Sequence, residues 1–445
     1  MAATRIVNAR MINEGRELHG ELLIRDGRIE AIGSHVPAIA GAEEVNARGR
    51  VLMPGMIDDQ VHFREPGFEH KADIYTESRA AVAGGITSYM DMPNSDPLTV
   101  TREALQDKHS RARDRSVANY AFYLGATNDN LDEIKRADPT LACGIKVFMG
   151  ASTGNMLVDD ETVLEAIFAS SPLVIATHCE DTPTILENEA RMRERYGDDV
   201  PMELHPEIRS AEACFRSSSL AVNLAKRHGS RLNVLHLTTE KELALFVAGP
   251  AADKRITVEV CAHHLYFDDT WYRRKGADIK CNPAVKRASD RNALLAAVAA
   301  DVIDIIATDH APHTREEKNR SYFEAPAGLP LVQHALLSVL EHHHDGRLDL
   351  TKIVEKICHA PAVIYGVEER GFLREGHWAD LVLVDLEHPT KVDETPVLSK
   401  CGWTPFAGLE FRSRIDSTWV NGNRVWADGA LRASVPGMAL RFARR

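Results

Sequence analysis

The sequence predicts an α/β protein: a (β/α)8 barrel with a small β-sandwich domain built from both chain ends. Three observations predict it. Between about Pro54 and Gly366, short apolar runs alternate with amphipathic helical stretches, the texture of repeated βα units. Those runs number eight, the count that closes a parallel barrel. Both chain ends show instead short alternating strands punctuated by tight turns.

Taken in order, residues 1–53 carry RIVNARMIN, GELLIRDGRIEAIG and GRVLMPG, which read as antiparallel β with a hairpin at Asp26-Gly27. The barrel strands follow as GMIDDQVHF, ITSYMDMPN, ANYAFYLGAT, GIKVFMG, LVIATHCED, LNVLHLTT, ITVEVCAHH and IDIIATDHAPH. Helices between them include DIYTESRAAVAGG, DDETVLEAIFASS, SAEACFRSSSLAVNLAKRHG and SDRNALLAAVAAD, each with an apolar stripe and several with Ser or Asp at the start. Two connections exceed what packing requires: ENEARMRERYGDDVPMELHPEIR and PHTREEKNRSYFEAPAG. Either suits a lid, because barrel active sites sit where such loops begin; the first equally suits a solvated excursion. Residues 367–445 return to β with ADLVLVDLEH, RIDSTWVNGNRVWADG and an Asn421-Gly422 turn. The expected division is therefore a composite domain of 1–53 and 367–445 around a catalytic barrel of 54–366.

Composition narrows the function. With 445 residues, 44% hydrophobic and 27% charged, the chain buries a substantial core, which excludes a disordered or fibrous protein. Its 53 basic against 65 acidic residues give a net charge of -12, which argues against a general nucleic-acid or anionic-membrane surface. The start, MAATRIVNAR, lacks a basic-then-apolar leader, and no run reaches the roughly 18 apolar residues that span a bilayer. The expectation is a cytoplasmic homo-oligomer whose partner is a small molecule. Seven cysteines without CxxC pairs read as reduced thiols, mostly core fillers.

A single histidine usually reads as a satisfied core or surface residue. Here His62, His178, His236 and Asp309 end strands one, five, six and eight, each straight after an apolar run, so barrel closure brings all four to one mouth. Three imidazoles and a carboxylate suit zinc or a similar divalent ion, which lowers the pKa of bound water toward neutrality, so the pattern points to metal-assisted hydrolysis. Lys146 lies inside the apolar run GIKVFMG, where an ammonium is costly to desolvate. Its readings are an ion pair, a Schiff base, or a carbamate able to bridge two metals; the histidines favour the last. His263 follows strand seven and either orients a ligand or packs. Asp58 supports the end of the first strand, and His342, His343 and His344 read as the solvated end of a helix.

The ordered set GRVLMPGMID, VHFREPG, DMPNSDP, GIKVFMG, THCED, EVCAHHL, NPAVK, ATDHAPH and SKCGWTPF resembles the amidohydrolase superfamily, and within it the dihydroorotases of the cyclic-amidase branch, over almost the whole chain. The resemblance implies a metal-bearing barrel with a composite β-sandwich, a carbamate on Lys146, and zinc ligands His62, His178, His236 and Asp309. It further implies reversible hydrolysis of dihydroorotate to N-carbamoyl-aspartate in pyrimidine biosynthesis, with Asp309 carrying the proton and Arg64, Asn94, Asn282 and His313 contacting substrate. Arg64, two residues past His62, suits a bidentate clamp on the substrate carboxylate, or else pairs with Glu65 or Glu69. Asn94 donates to the same group or caps the PNSDP turn. One position departs from the pattern: the family's His-x-His is here Gln60-Val61-His62. Gln60 offers only an amide oxygen, so of one or two zinc ions the one shared with His62 is expected to be held less tightly. Two rivals follow: another cyclic amidase (an allantoinase or dihydropyrimidinase), or a catalytically silent dihydroorotase-like subunit that binds a partner enzyme.

Overall fold

The computed structural model describes residues 3–150, 156–432 and 435–443. The N-terminal end supplies β1 (Thr4–Asn13), β2 (Arg16–Arg25), β3 (Arg28–Gly33), β4 (Glu43–Asn46) and β5 (Val51–Pro54). Then come β6 (Met56–Val61), β7 (Ile86–Asp91), β8 (Asn119–Gly125), β9 (Ala142–Phe148), β10 (Ile175–His178), β11 (Leu232–Val234), β12 (Ile256–Cys261) and β13 (Ile305–Ala307). The C-terminal end adds β14 (Leu381–Asp385), β15 (Thr390–Lys391), β16 (Glu410–Phe411), β17 (Arg414–Val420), β18 (Asn423–Ala427) and β19 (Ala430–Leu431).

Strands β6 to β13 pair in sequence order, every pair parallel, and the eight apolar runs read from the sequence are these eight strands. The ends of this sheet meet: Val61 bridges His310 in parallel, and the His62 amide donates to the His310 carbonyl at 2.7 Å. The strands are buried on both faces, as parallel strands wrapped in helices must be. Local chemistry starts the helices. Asp73 caps Ile74–Ala83 in a capping box with Thr76, Asp160 caps Glu161–Ser170, and Ser210 caps Ala211–His228, which Gly229 ends in the left-handed region. Among the described residues, no helix is long and apolar enough to cross a membrane.

The two chain ends form one sheet, ordered β19-β18-β17-β14-β5-β1-β2-β3, with β4 also on β1. The β5–β14 pair joins the ends, and Ile6, Met11, Leu22, Ile29, Leu381, Leu383 and Trp419 form the core behind it. This sheet is mixed, whereas the sequence reads as antiparallel: β1 runs parallel to β4 and β5. Alternation of apolar residues marks a strand and its buried face but carries no direction. A buried polar knot ties the sheet to the barrel floor, with Asn421 donating to Asn119 at the start of β8 (2.8 Å) and Asn119 donating to Asp380 (3.1 Å), itself paired with Arg370.

The two turns read from sequence lie against each other. Asp26 and Gly27 have φ of 51° and 81°, Asn421 and Gly422 of 50° and 76°, the left-handed pairs of type I′ hairpins. A Cβ on Gly422 would stand 2.6 Å from the Gly27 Cα, whereas one on Gly15 (φ 72°) would meet nothing within 4 Å. Both Gly→Ala changes bear the left-handed penalty of about 1–2 kcal/mol. We expect G422A to lose clearly more stability than G15A in urea unfolding; equal losses would show that the contact between turns contributes nothing.

Candidate active site

The C-terminal ends of the barrel strands surround a cavity of about 230 Å³, lined by Gln60, His62, Arg64, Asn94, Lys146, Phe148, His178, Arg209, His236, Asn282, Asp309, Ala311, Ala327 and Gly328. Nine of the ten residues singled out in the sequence line it; the tenth, His313, stands behind Arg64. Three of them, Arg64, His236 and Asp309, hold left-handed backbone (φ 69°, 40° and 50°), a strain that non-glycine residues bear where a strand end must turn its side chain sharply.

On one side, His62 donates from Nδ1 to Asn94 Oδ1 at 2.7 Å, which leaves a lone pair on Nε2. That lone pair faces Asp309 Oδ1 at 3.2 Å. Gln60 Nε2 donates to the same carboxylate oxygen at 2.9 Å, while Gln60 Oε1 is buried without a partner. Burial alone would raise the Asp309 pKa, but with no metal present the protonated form of His62 outweighs it by hydrogen bond and charge and holds it below the usual carboxylate range. Burial lowers His62. Two electron-rich atoms facing each other across 3.2 Å form a natural cation site.

Across the mouth, His178 Nδ1 lies 3.0 Å from His236 Nε2, and His178 Nε2 is 3.1 Å from Glu180 Oε2. Burial and the neighbouring His178 keep His236 well below its ordinary pKa, so it is neutral, and its Nδ1 has no partner. Glu180 also accepts from Arg209 at 2.8 Å; against the cost of burial, Arg209 and His178 hold it strongly ionised. Between these groups lies Lys146, whose Nζ stands 4.6 Å from the centroid of the Phe148 ring. Burial lowers it to about 8, although Asp309 and Glu259 oppose the shift, so the uncharged amine is accessible near neutrality. The donors His62, His178, His236, Asp309 and Gln60, with Lys146 between them, fit one or two divalent ions: neutral imidazoles, a carboxylate and an orphaned amide oxygen.

Arg64 ignores Glu65 and Glu69. Its Nε donates to the Pro312 carbonyl at 3.0 Å and its Nη2 to His313 Nε2 at 3.0 Å, while Glu65 pairs with Arg115. Asn94 serves His62 rather than capping a turn. Asn282, with its oxygen turned to Arg209 Nη2 at 3.3 Å, closes the far wall. Asp58 accepts from Thr308 (2.6 Å to Oγ1), and burial pushes it up to about 8. His263 is buried rather than open to the mouth, and His342 is only 5% exposed although it sits in a run that reads as solvated.

Sequence reasoning missed Arg209, Glu180 and the buried Lys318. Glu180 was signalled by its place two residues after His178 in THCED. Arg209 closes the charged excursion, which is not simply solvated: Ile185, Met192, Val200 and Ile208 pack on Tyr322 of the other long connection, and His205 Nδ1 lies 2.7 Å from the Tyr322 hydroxyl. Lys318, 1% exposed, donates to the carbonyls of Lys280, Pro326 and Gly328 at 3.0–3.1 Å and so pins the segment that presents Ala327 and Gly328 to the cavity.

Residues 51–425 match the model of the amidohydrolase family, and the chain belongs to that family. It is similar to a dihydroorotase of Halobacterium salinarum, with 33% identity over 95% of this chain and 99% of that one. An allantoinase of Solibacter usitatus is 30% identical over 97% and 95%. Its fold is similar to that of an L-hydantoinase (dihydropyrimidinase) from Arthrobacter aurescens, with a TM-score of 0.93, 26% identity, and 99% and 100% of the two chains covered. The protein is a hydrolase of the cyclic amidase type.

Lys318→Met leaves the buried Pro326 and Gly328 carbonyls without a donor, while the Lys280 carbonyl keeps the Gly328 amide. We expect a loss of about 2–4 kcal/mol, with hydrogen exchange quickening in residues 314–328 while the barrel strands keep their protection. Unchanged exchange there would show that Lys318 does not hold the segment.

Proposed function

We propose that this protein is a dihydroorotase, hydrolysing the ring amide of dihydroorotate to N-carbamoyl-aspartate and closing it again in reverse. The observation that carries this reading is Arg64. Its guanidinium reaches the cavity, bonds a carbonyl and an imidazole, and has no carboxylate partner among the described residues. Burial lowers it only to about 10, so it stays charged and is suited to a substrate that brings its own carboxylate. Allantoin and dihydrouracil bring none. The Asn94 amide nitrogen, left free by the bond from His62 to its oxygen, is a second donor for that carboxylate, and Asn282 and His313 complete the contacts.

His62, His178, His236, Asp309 and a carbamate on Lys146, with Gln60 through Oε1, would hold one or two zinc ions. Bound there, zinc supplies an activated water and polarises the scissile carbonyl. Asp309, ionised and steadied by Gln60 and His62, takes the proton of the attacking water and delivers it to the leaving ring nitrogen. Glu180 keeps His178 in the tautomer that leaves Nδ1 free. Lys146 gains its carboxylate by adding carbon dioxide to the neutral amine with loss of one proton. The site using Gln60 is the weaker, because its amide nitrogen is already spent on Asp309 and only a neutral oxygen remains.

Two expectations test the reading. Arg64→Met should weaken dihydroorotate binding by about 2–4 kcal/mol and barely affect dihydrouracil, measured as KM and kcat/KM on both. Equal losses, or no turnover of dihydroorotate by the zinc-loaded protein, would favour another cyclic amidase or a silent subunit. Lys146→Ala should lose both metal and turnover, with partial rescue by short carboxylic acids. A density map of active, metal-loaded protein showing a bare lysine would overturn the carbamate.

A further inference from the structure

Cys261 ends β12, and His263 and His264 stand in the first turn of the short helix Ala262–Tyr266 that follows it. One donor atom from each, a sulfur and two ring nitrogens, lie within 4.8 Å of one another, and all three side chains are buried. None of the three is among the residues to which the proposed hydrolysis assigns a role.

The polar atoms of this cluster are unsatisfied. Neither ring nitrogen of His263 has a hydrogen-bond partner, and neither does Nδ1 of His264, although nearly all buried polar groups in folded proteins are paired. His264 Nε2 donates to the Pro283 carbonyl at 3.1 Å. That bond fixes the tautomer, leaves a bare lone pair on Nδ1, and is the carbonyl contact that metal-bound imidazoles ordinarily make through their other nitrogen. Burial keeps both rings neutral, as ligands must be, with His263 lowered to about 4 and His264 well below its ordinary value. The Cys261 thiol points at Glu259 Oε1, 3.7 Å away, an acceptor for its proton.

We propose that Cys261, His263 and His264 form a further metal site, separate from the barrel mouth, that takes a thiophilic d10 cation of the zinc class. Tetrahedral zinc holds sulfur at about 2.3 Å and nitrogen at about 2.0–2.1 Å. Ligand atoms around it are then roughly 3.4–3.6 Å apart, so these donors need draw in by little more than an ångström. On binding, which accompanies folding, the thiol proton is released to solvent, one S–metal and two N–metal bonds form, and nothing is oxidised or reduced. The ligands span one strand end and one helical turn, so the ion clamps the corner that seats His263 beside Asp309. A site this enclosed fills as the chain folds.

Cobalt distinguishes it from the mouth, whose proposed ligands are nitrogen and oxygen only. Protein produced in cobalt-supplemented medium should show a near-ultraviolet thiolate-to-cobalt charge-transfer band. The band should persist in Cys281→Ala, whose sulfur lies 3.6 Å from His264 Nε2 on the other side of that ring. It should vanish in Cys261→Ser together with about one equivalent of bound metal, and weaken or shift in His263→Asn. No band in the natural protein at any cobalt loading, or a band that survives Cys261→Ser, overturns the site. The natural protein alone decides the matter if the variants do not fold. Turnover is read separately, so turnover without the band, or the band without turnover, shows which of the two proposals has failed.

Discussion

The seam between the first and last barrel strands is the constraint on which everything else depends. Gln60 and His62 lie some 250 positions from Asp309 in the chain, yet share its carboxylate, because β6 closes against β13. The closure is held by the His62 amide on the His310 carbonyl and by Asp58, which crosses the seam to bind both the Thr308 amide (3.1 Å) and hydroxyl (2.6 Å). His310 carries the seam outward: its ring meets Glu77 at 2.8 Å, and Glu77 accepts from Ser399 on the C-terminal side of the chain. A barrel that opened here would part Asp309 from Gln60 and His62.

Such a centre is costly to bury, and the fold offsets the cost by pairing. Below the mouth runs a polar column in which Asn233 donates to Asp59 (3.2 Å), Thr257 to Asn233 (2.9 Å) and Tyr123 to Tyr365 (2.7 Å). Burial raises Asp59 to about 6, and burial and then the charge of Asp59 raise Glu259 well above its ordinary value. Glu259 still accepts from the His236 amide, so a residue in strained backbone is held from beneath. The apolar core of the end sheet contributes stability that this polar interior cannot.

What was legible in the sequence is what local pattern encodes. Eight apolar runs, the caps at Asp73 and Ser210, and the Asp26-Gly27 and Asn421-Gly422 turns are each specified within a few residues, and they appear where the pattern puts them. Histidines and an aspartate at strand ends were conspicuous for the same reason, since a strand end is marked by the end of its apolar run. The parallel direction of β4 and β5 was not legible, because it depends on where the chain returns. Neither were Arg209 and Lys318. Both sit in stretches whose charge resembles solvent exposure, and they are enclosed only because two loops distant in sequence pack together through Tyr322. His342 failed similarly: composition marked the helix end as wet, whereas the helix buries that face.

The same packing explains how the cavity can be selective. Two guanidiniums reach it, but Arg209 is committed to Glu180, an ion pair that is buried on the carboxylate side, while Arg64 is held by a carbonyl and a neutral imidazole. Burial and the charge of Arg64 keep His313 neutral, so it accepts without adding a second positive charge. Among the described residues, no carboxylate contacts the Arg64 guanidinium, and the Lys318-pinned segment presents Ala327 and Gly328 to the same cavity. A ligand lacking a carboxylate leaves that charge desolvated and unanswered, which costs more than the loss of one ordinary hydrogen bond. A cyclic amide that carries a carboxylate relieves it. If the substrate is the carboxylate-bearing cyclic amide proposed above, discrimination would rest on the standing cost of an unpaired buried charge, and the proposed metal ligands would not have to supply it.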